Sequence, residues 1–271
     1  MPSRVESSSE EFQDRNLEGI IPLQTEHLTK TFRQGTDSIK ALNGVSLEVQ
    51  AGQFLAIMGP SGCGKSTLLH VMAGLTRPDT GTVSVAGQQL ASLRDGKLTD
   101  FRRRQIGLVF QQFNLVATLT ALDNVMLPRL AEGKGGKPAK EKAISLLERL
   151  GLANRLDHTP DAMSGGEQQR VAIARALITD PAIILADEPT GSLDSANGHA
   201  ICSLLKELNE EEKRTIVIVT HEPSVAAWAE RVVVMKDGTV CCDWSDEEIH
   251  DVHKLASRYQ DVVADPYVAQ A

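Results

Sequence analysis

The chain has 271 residues and a formal net charge of −8, a balance that excludes broad electrostatic binding to nucleic acid, which needs a basic face. Its four cysteines, Cys63, Cys202, Cys241 and Cys242, follow no metal-ligand spacing, and neighbours in sequence are poor disulfide partners, so a reducing compartment is expected. No stretch approaches the about 20 apolar residues of a membrane span.

Residues 1–19 are polar and rich in Ser and Glu without an apolar run, which predicts a disordered arm rather than a signal peptide. Short β-rich runs follow at Leu23 to Thr31, Val45 to Val49 and Phe54 to Met58. The last runs into Gly59-Pro60-Ser61-Gly62-Cys63-Gly64-Lys65-Ser66-Thr67, which fits G-x-x-x-x-G-K-[ST], a phosphate-binding loop. The glycines let the backbone curl so that consecutive N–H groups face phosphate oxygens. Gly64 opens a helix carrying Leu68, Leu69, Val71 and Met72, whose N-terminus favours anions. Lys65 is placed for the β- and γ-phosphates and the Ser66 hydroxyl for Mg²⁺. Cys63 lies beside that helix N-terminus, so its pKa is expected to be lowered and its alkylation to inhibit the protein.

Thr82 to Val85 reads as a strand, Lys97 to Arg104 as a basic helical stretch, and Ile106 to Phe110 as a strand. From about 118 to 178 the pattern turns helical, with Ala143, Ile144, Leu147 and Leu150 on one face and Gly151 as the stop. Gly133 to Pro138 is read as a solvated loop within it. In Ser164-Gly165-Gly166-Glu167-Gln168-Gln169-Arg170, Ser164 reads as an N-cap and Glu167 completes a capping box, making a second anion-favouring helix start. One phosphate chain does not need two such starts from one subunit.

Ile183 to Ala186 is an apolar strand that delivers Asp187 and Glu188 to its carboxyl end, where ligands of α/β folds sit. Asp187 would orient Mg²⁺ through water and Glu188 would polarise an attacking water. Strands at Thr215 to Val219 and Arg231 to Met235 alternate with helices at Ser195 to Glu212 and Ser224 to Ala229. The alternation predicts an α/β fold with a mostly parallel sheet, helices on both faces and a helical insertion at about 118–178. Residues 20–245 are read as one domain and 246–271 as an acidic, partly helical extension. Neither His250-Asp251-Val252-His253 nor Cys241-Cys242 converges with other ligands; they are read as a solvated helix face and as strand residues.

Gly59–Thr67, Gln111, Ser164–Gln168, Asp187-Glu188, Ser192-Leu193-Asp194 and His221 occur in the order of an ABC-transporter ATPase subunit. They resemble its Walker A, Q-loop, signature, Walker B, D-loop and switch histidine, over roughly Leu23 to Val240. Met163 stands where the family usually has Leu, Glu167 where Gln is common, and Ser192 where Asn is more frequent. The resemblance implies a P-loop NTPase fold with an N-terminal antiparallel β part, and a head-to-tail homodimer that sandwiches ATP between one P-loop and the other signature. It also implies that Phe32 stacks on adenine, that Gln111 contacts Mg²⁺ and water, that His221 reaches the γ-phosphate and that Asp194 crosses the dimer interface. No Asn-Lys-x-Asp motif for guanine is present, in keeping with ATP.

The stretches Arg103 to Leu115 and Leu119 to Val125 are similar to the lipoprotein-releasing, macrolide-export and cell-division branch of the family. That implies an ATPase powering a separate membrane-spanning permease from the cytoplasmic face of the inner membrane, with Phe113, Asn114 and Leu115 near that partner. An ATPase that signals through its membrane partner to cell-wall enzymes is the alternative. A soluble DNA-repair or translation ATPase is disfavoured, because the chain has neither a coiled-coil insertion nor a second cassette.

Overall fold

A computed structural model of the protein describes residues 21–34 and 37–265. The predicted arm 1–19 lies outside the described residues. Two antiparallel strands begin the fold, β1 (Leu23–Gln34) and β2 (Asp37–Val49). They are longer than the sequence runs suggest, because their distal ends form an exposed ribbon whose Phe32 and Ile39 face solvent and give no burial pattern. Then come β3 (Phe54–Met58), α1 (Lys65–Met72), β4 (Thr80–Val85) and the two-residue β5 (Gln88–Gln89). These first strands, without β3, make a sheet in the order β2-β1-β4-β5, antiparallel throughout.

The second half of the chain supplies α2 (Asp95–Gln105), β6 (Ile106–Val109), α3 (Ala121–Ala131), α4 (Lys137–Arg149) and α5 (Gly165–Leu177). It continues with β7 (Ile183–Asp187), α6 (Ser195–Glu212), β8 (Ile216–Thr220), the short α7 (Pro223–Ala226), β9 (Arg231–Lys236), β10 (Thr239–Trp244) and α8 (Val252–Ala264). The main sheet runs β10-β9-β3-β8-β7-β6; only the β9–β10 pair is antiparallel.

The central strands are apolar along their length, β3 at every position and β7 and β8 up to their last residue, because both sheet faces are covered. Phe54, Ala56 and Met58 of β3 point to one core, with Ile216 and Ile218 of β8, the insertion helices and α6. Leu55 and Ile57 point to the other, with Val217 and Val219, α1 and the antiparallel sheet. The two-residue side-chain period of a strand divides them. The second face carries α1 together with the antiparallel β part that the resemblance implied. Between β6 and β7 the chain forms helices α3 to α5, and α5 packs on both α3 and β6. Ile249 and Leu255 are fully buried in the first core, so the chain around α8 packs onto the main body.

Sheet order positions the site. β3 and β7 flank β8, with Met58 opposite Thr220 and Asp187 opposite Val219. Their carboxyl ends therefore open side by side, and the loops that follow them meet.

Candidate active site

The loop after β3 turns back through Gly59 to Gly64. Gly64 has φ 108°, and a Cβ there would stand 2.2 Å from the Ala41 carbonyl oxygen. A Cβ on Gly59 would stand 2.3 Å from the carbonyl oxygen of Met235, so neither position tolerates a side chain. Gly64 caps α1 without a side-chain bond, leaving its first-turn amides for a ligand. Pro60, Ser61 and Gly62 line the open side of the curl, and Thr67 follows in the first turn of α1, half-buried.

Lys65 is only 5% exposed, and its Nζ donates to the carbonyl oxygens of Gly59 at 2.8 Å and Pro60 at 3.0 Å. The ammonium thus lies across the mouth of its own loop. Ser66 Oγ donates to Asp187 Oδ1 at 3.1 Å. Burial pushes the Asp187 carboxyl up, against the opposing bond from Ser66. A hydroxyl and a carboxylate together are the hard-oxygen donors that Mg²⁺ takes alongside phosphate and water, so these residues fit that ion.

Glu188 adopts φ 44°, and its N–H donates to Val219 O at 2.9 Å. This left-handed step ends β7 and turns the carboxylate toward β8, where Oε1 lies 3.0 Å from His221 Nδ1. Gly191 keeps the space beside them open: a Cβ there would meet Gln111 Nε2 at 2.8 Å and Glu188 Oε2 at 3.3 Å. Gln111, Glu188 and His221 thus converge on one small volume. Phe32 is 44% exposed, with Lys30 Nζ 5.6 Å from its ring centroid, so it is a surface aromatic and not a core one.

At the start of α5, Ser164 Oγ accepts from Glu167 N at 3.3 Å, and Ser164 N donates to Glu167 Oε2 at 2.8 Å, a complete capping box. Arg155 Nε donates to Glu167 Oε1 at 2.7 Å, and its guanidinium holds that carboxyl below the ordinary range. Gly165 and Gly166 fit tightly against the chain that follows Glu188. A Cβ on Gly165 would come within 3.1 Å of Leu193, and one on Gly166 within 2.5 Å of Asn197 Oδ1. Asp194 caps α6, accepting from Asn197 N at 2.9 Å and Asn197 Nδ2 at 2.6 Å; these bonds lower its pKa.

One expectation changes. Cys63 is 5% exposed and packs in the second core, and burial pushes its thiol up, opposed by Lys65. The desolvation of an apolar wall outweighs the helix N-terminus, so the expected reactive thiol is absent. Phe113 and Leu115 are half-buried, and Leu115 packs on the first core. Asn114 instead lines a groove of about 440 Å³ with Arg102, Arg103, Phe110, Leu127 and Pro128.

The sequence reading passed over Arg175 and Gln169 of α5. Arg175 donates to Asn114 O at 2.6 Å and Phe113 O at 2.8 Å, holding two consecutive left-handed residues at φ 50° and 60°. Gln169 Nε2 donates to Pro189 O at 2.7 Å. Both are polar residues on a helix of ordinary pattern, and their partners lie about 20 and 60 residues away in sequence.

A family comparison matches residues 42–191 to the ABC transporter family. The macrolide export ATP-binding/permease protein MacB of Chlorobaculum tepidum is 51% identical over 217 residues, 80% of this chain. The chain spans 33% of that relative's length. The ABC transporter ATP-binding protein MJ0796 of Methanocaldococcus jannaschii is 47% identical over 80% of this chain and 94% of its own. Among solved structures, a dimeric post-hydrolysis state of the MJ0796 cassette bound to ADP and Pi superposes with a TM-score of 0.76 at 45% identity. That match covers 82% of this chain and 98% of the other.

Proposed function

The chain belongs to the ABC transporter family as an ATP-hydrolysing, ATP-binding subunit, and on that premise we propose how its residues share the work. Lys65 and the amides of Gly59 to Thr67 bind the phosphates, and Phe32 stacks on adenine. Ser66, Asp187 and Gln111 hold Mg²⁺, which neutralises charge on the phosphates when bound. Glu188 takes a proton from the attacking water, and His221 orients the γ-phosphate end. The observation that carries this reading is the Glu188–His221 contact at 3.0 Å, with Gln111 beside it and Lys65 two strands away. Catalysis here is positioning and charge stabilisation at the carboxyl ends of the central strands.

The second half of the site comes from another copy of the chain. Ser164, Gly165, Gly166 and Glu167 of one copy close over the nucleotide held by the other, and Asp194 lies at that junction. The MJ0796 cassette is dimeric in the structure described above. The groove with Arg102, Arg103, Phe110 and Asn114 receives a separate membrane-spanning permease of the lipoprotein-releasing or macrolide-export type. That places the chain at the cytoplasmic face of the inner membrane as a peripheral subunit. No helix among the described residues is long and apolar enough to cross a membrane.

The test is size-exclusion chromatography with ATP. Glu188→Gln removes the basicity but leaves Lys65 and Ser66 untouched, so it should bind ATP, hydrolyse it at least about 10²-fold more slowly and persist as a dimer. Ser164→Arg should stay monomeric with ATP bound. Mixing Ser164→Arg with Lys65→Ala leaves one intact composite site per heterodimer and should restore some dimer. A Glu188→Gln protein that is monomeric at saturating ATP, both alone and with its membrane partner, overturns the shared site.

A further inference from the structure

The backbone on either side of the catalytic pair is held by one buried side chain. Gln169 is fully buried, on the first full turn of α5 beyond the capping box. Its Nε2 donates to Pro189 O at 2.7 Å and reaches Phe110 O at 3.4 Å. Pro189 directly follows Glu188, and Phe110 directly precedes Gln111. The two neighbours of Gln169 turn elsewhere: Gln168 Nε2 donates to Met163 O at 3.0 Å and Arg170 Nη1 to Leu150 O at 3.2 Å, both within the helical layer.

We infer that Gln169 is a positioning residue, tying the signature end of α5 to the two backbone segments that carry Glu188 and Gln111. The orientation of its amide is not free. Both facing groups are carbonyl oxygens, so only the NH₂ can turn toward them. The other end, Oε1, is buried with no hydrogen-bond partner among the described residues. A buried acceptor left unpaired is unfavourable, so what this carboxamide contributes lies in the two carbonyls its Nε2 holds. Further along the same helix Arg175 grips Phe113 O and Asn114 O, so the segment carrying Gln111 is fastened to α5 at both ends. Glu188, already in a left-handed conformation, has Gln169 fixing the residue after it. Movement of the signature turn is thereby passed directly to the groups that handle the attacking water.

This inference rests on the proposed roles of Glu188 and Gln111, and the experiment separates the two. Hydrolysis by the full chain is measured for wild type, Glu188→Gln, Gln169→Met and Gln169→Glu, with ATP affinity and Tm for each. Gln169→Met removes the unpaired Oε1 but leaves Pro189 O without its donor, so one unpaired buried acceptor is exchanged for another. Its Tm should therefore hold near wild type while kcat falls about tenfold and KM stays within about twofold. In Gln169→Glu the buried carboxyl, when protonated, can donate one O–H where Nε2 did. Its activity relative to wild type at the same pH should be highest at low pH and fall as pH rises through its raised pKa, a titration absent from the wild-type residue. Wild-type kcat in Gln169→Met overturns the inference. So does a kcat loss accompanied by a matching drop in Tm, with Gln169→Glu following the wild-type pH profile. Wild-type hydrolysis by Glu188→Gln instead removes the assigned role of Glu188, and the inference built on it.

Discussion

The phosphate loop and the signature turn are both glycine-bearing helix starts, yet they satisfy their polar groups in opposite ways. At the start of α1 no side chain caps the helix, and Lys65 bends back onto two loop carbonyls. At the start of α5 Ser164 and Glu167 cap each other, and Arg155 closes the remaining carboxylate oxygen. The first region leaves its helix-start amides uncapped, as the proposed phosphate site needs. The second spends its side chains on its own rigidity and presents a finished edge. A region that binds needs uncompensated donors; a region that closes over something already bound needs a fixed shape.

The contrast can be broken most sharply at Lys65. Lys65→Ala removes the buried ammonium proposed to bind the phosphates, and phosphate release should fall by about 10² to 10³-fold. Loss of the same size from Arg155→Ala would erase the distinction, because Arg155 serves only the capped region. A smaller effect is expected of Ser164→Ala, which should lower stability by about 1 kcal/mol through the lost cap. Thermal unfolding without nucleotide reads this as a drop of about 2 to 4 °C. Ser164→Asp should restore the Tm, since a carboxylate caps equally well; an unchanged Tm in Ser164→Ala would show that the box contributes nothing.

Cys63 sharpens the comparison from the side of the loop. Its buried, raised thiol should resist N-ethylmaleimide in the folded protein and react once urea unfolds it, with mass spectrometry locating the adduct. Rapid labelling of the native protein would show that the loop opens.

The smallest effect concerns pH. Glu167 has a folded pKa held low by Arg155, so its contribution to stability is present above its unfolded pKa and disappears as pH falls through the folded value. With the pair partly exposed, solvent screening limits this to under about 1 kcal/mol. The difference in urea midpoint between wild type and Glu167→Gln should be seen near neutrality and vanish in acid. A difference that grows in acid would reverse the assigned sign.

What could be read without the structure is what neighbours in sequence decide. The phosphate loop, the capping box and the strand ending in Asp187-Glu188 are contiguous patterns, because helix starts, tight glycine turns and buried strands are set by residues a few positions apart. Tertiary structure alone brought Glu188 to His221 and Gln111 to Gly191, since those meetings depend on strand order β8-β7-β6, which periodicity does not specify. It also overturned the expectation for Cys63, whose helix terminus is visible in the sequence but whose apolar surroundings are the second core. Gln169 and Arg175 stayed hidden for the same reason. A polar side chain on a helix declares its spacing, but the carbonyls it holds are chosen by what the fold packs against it.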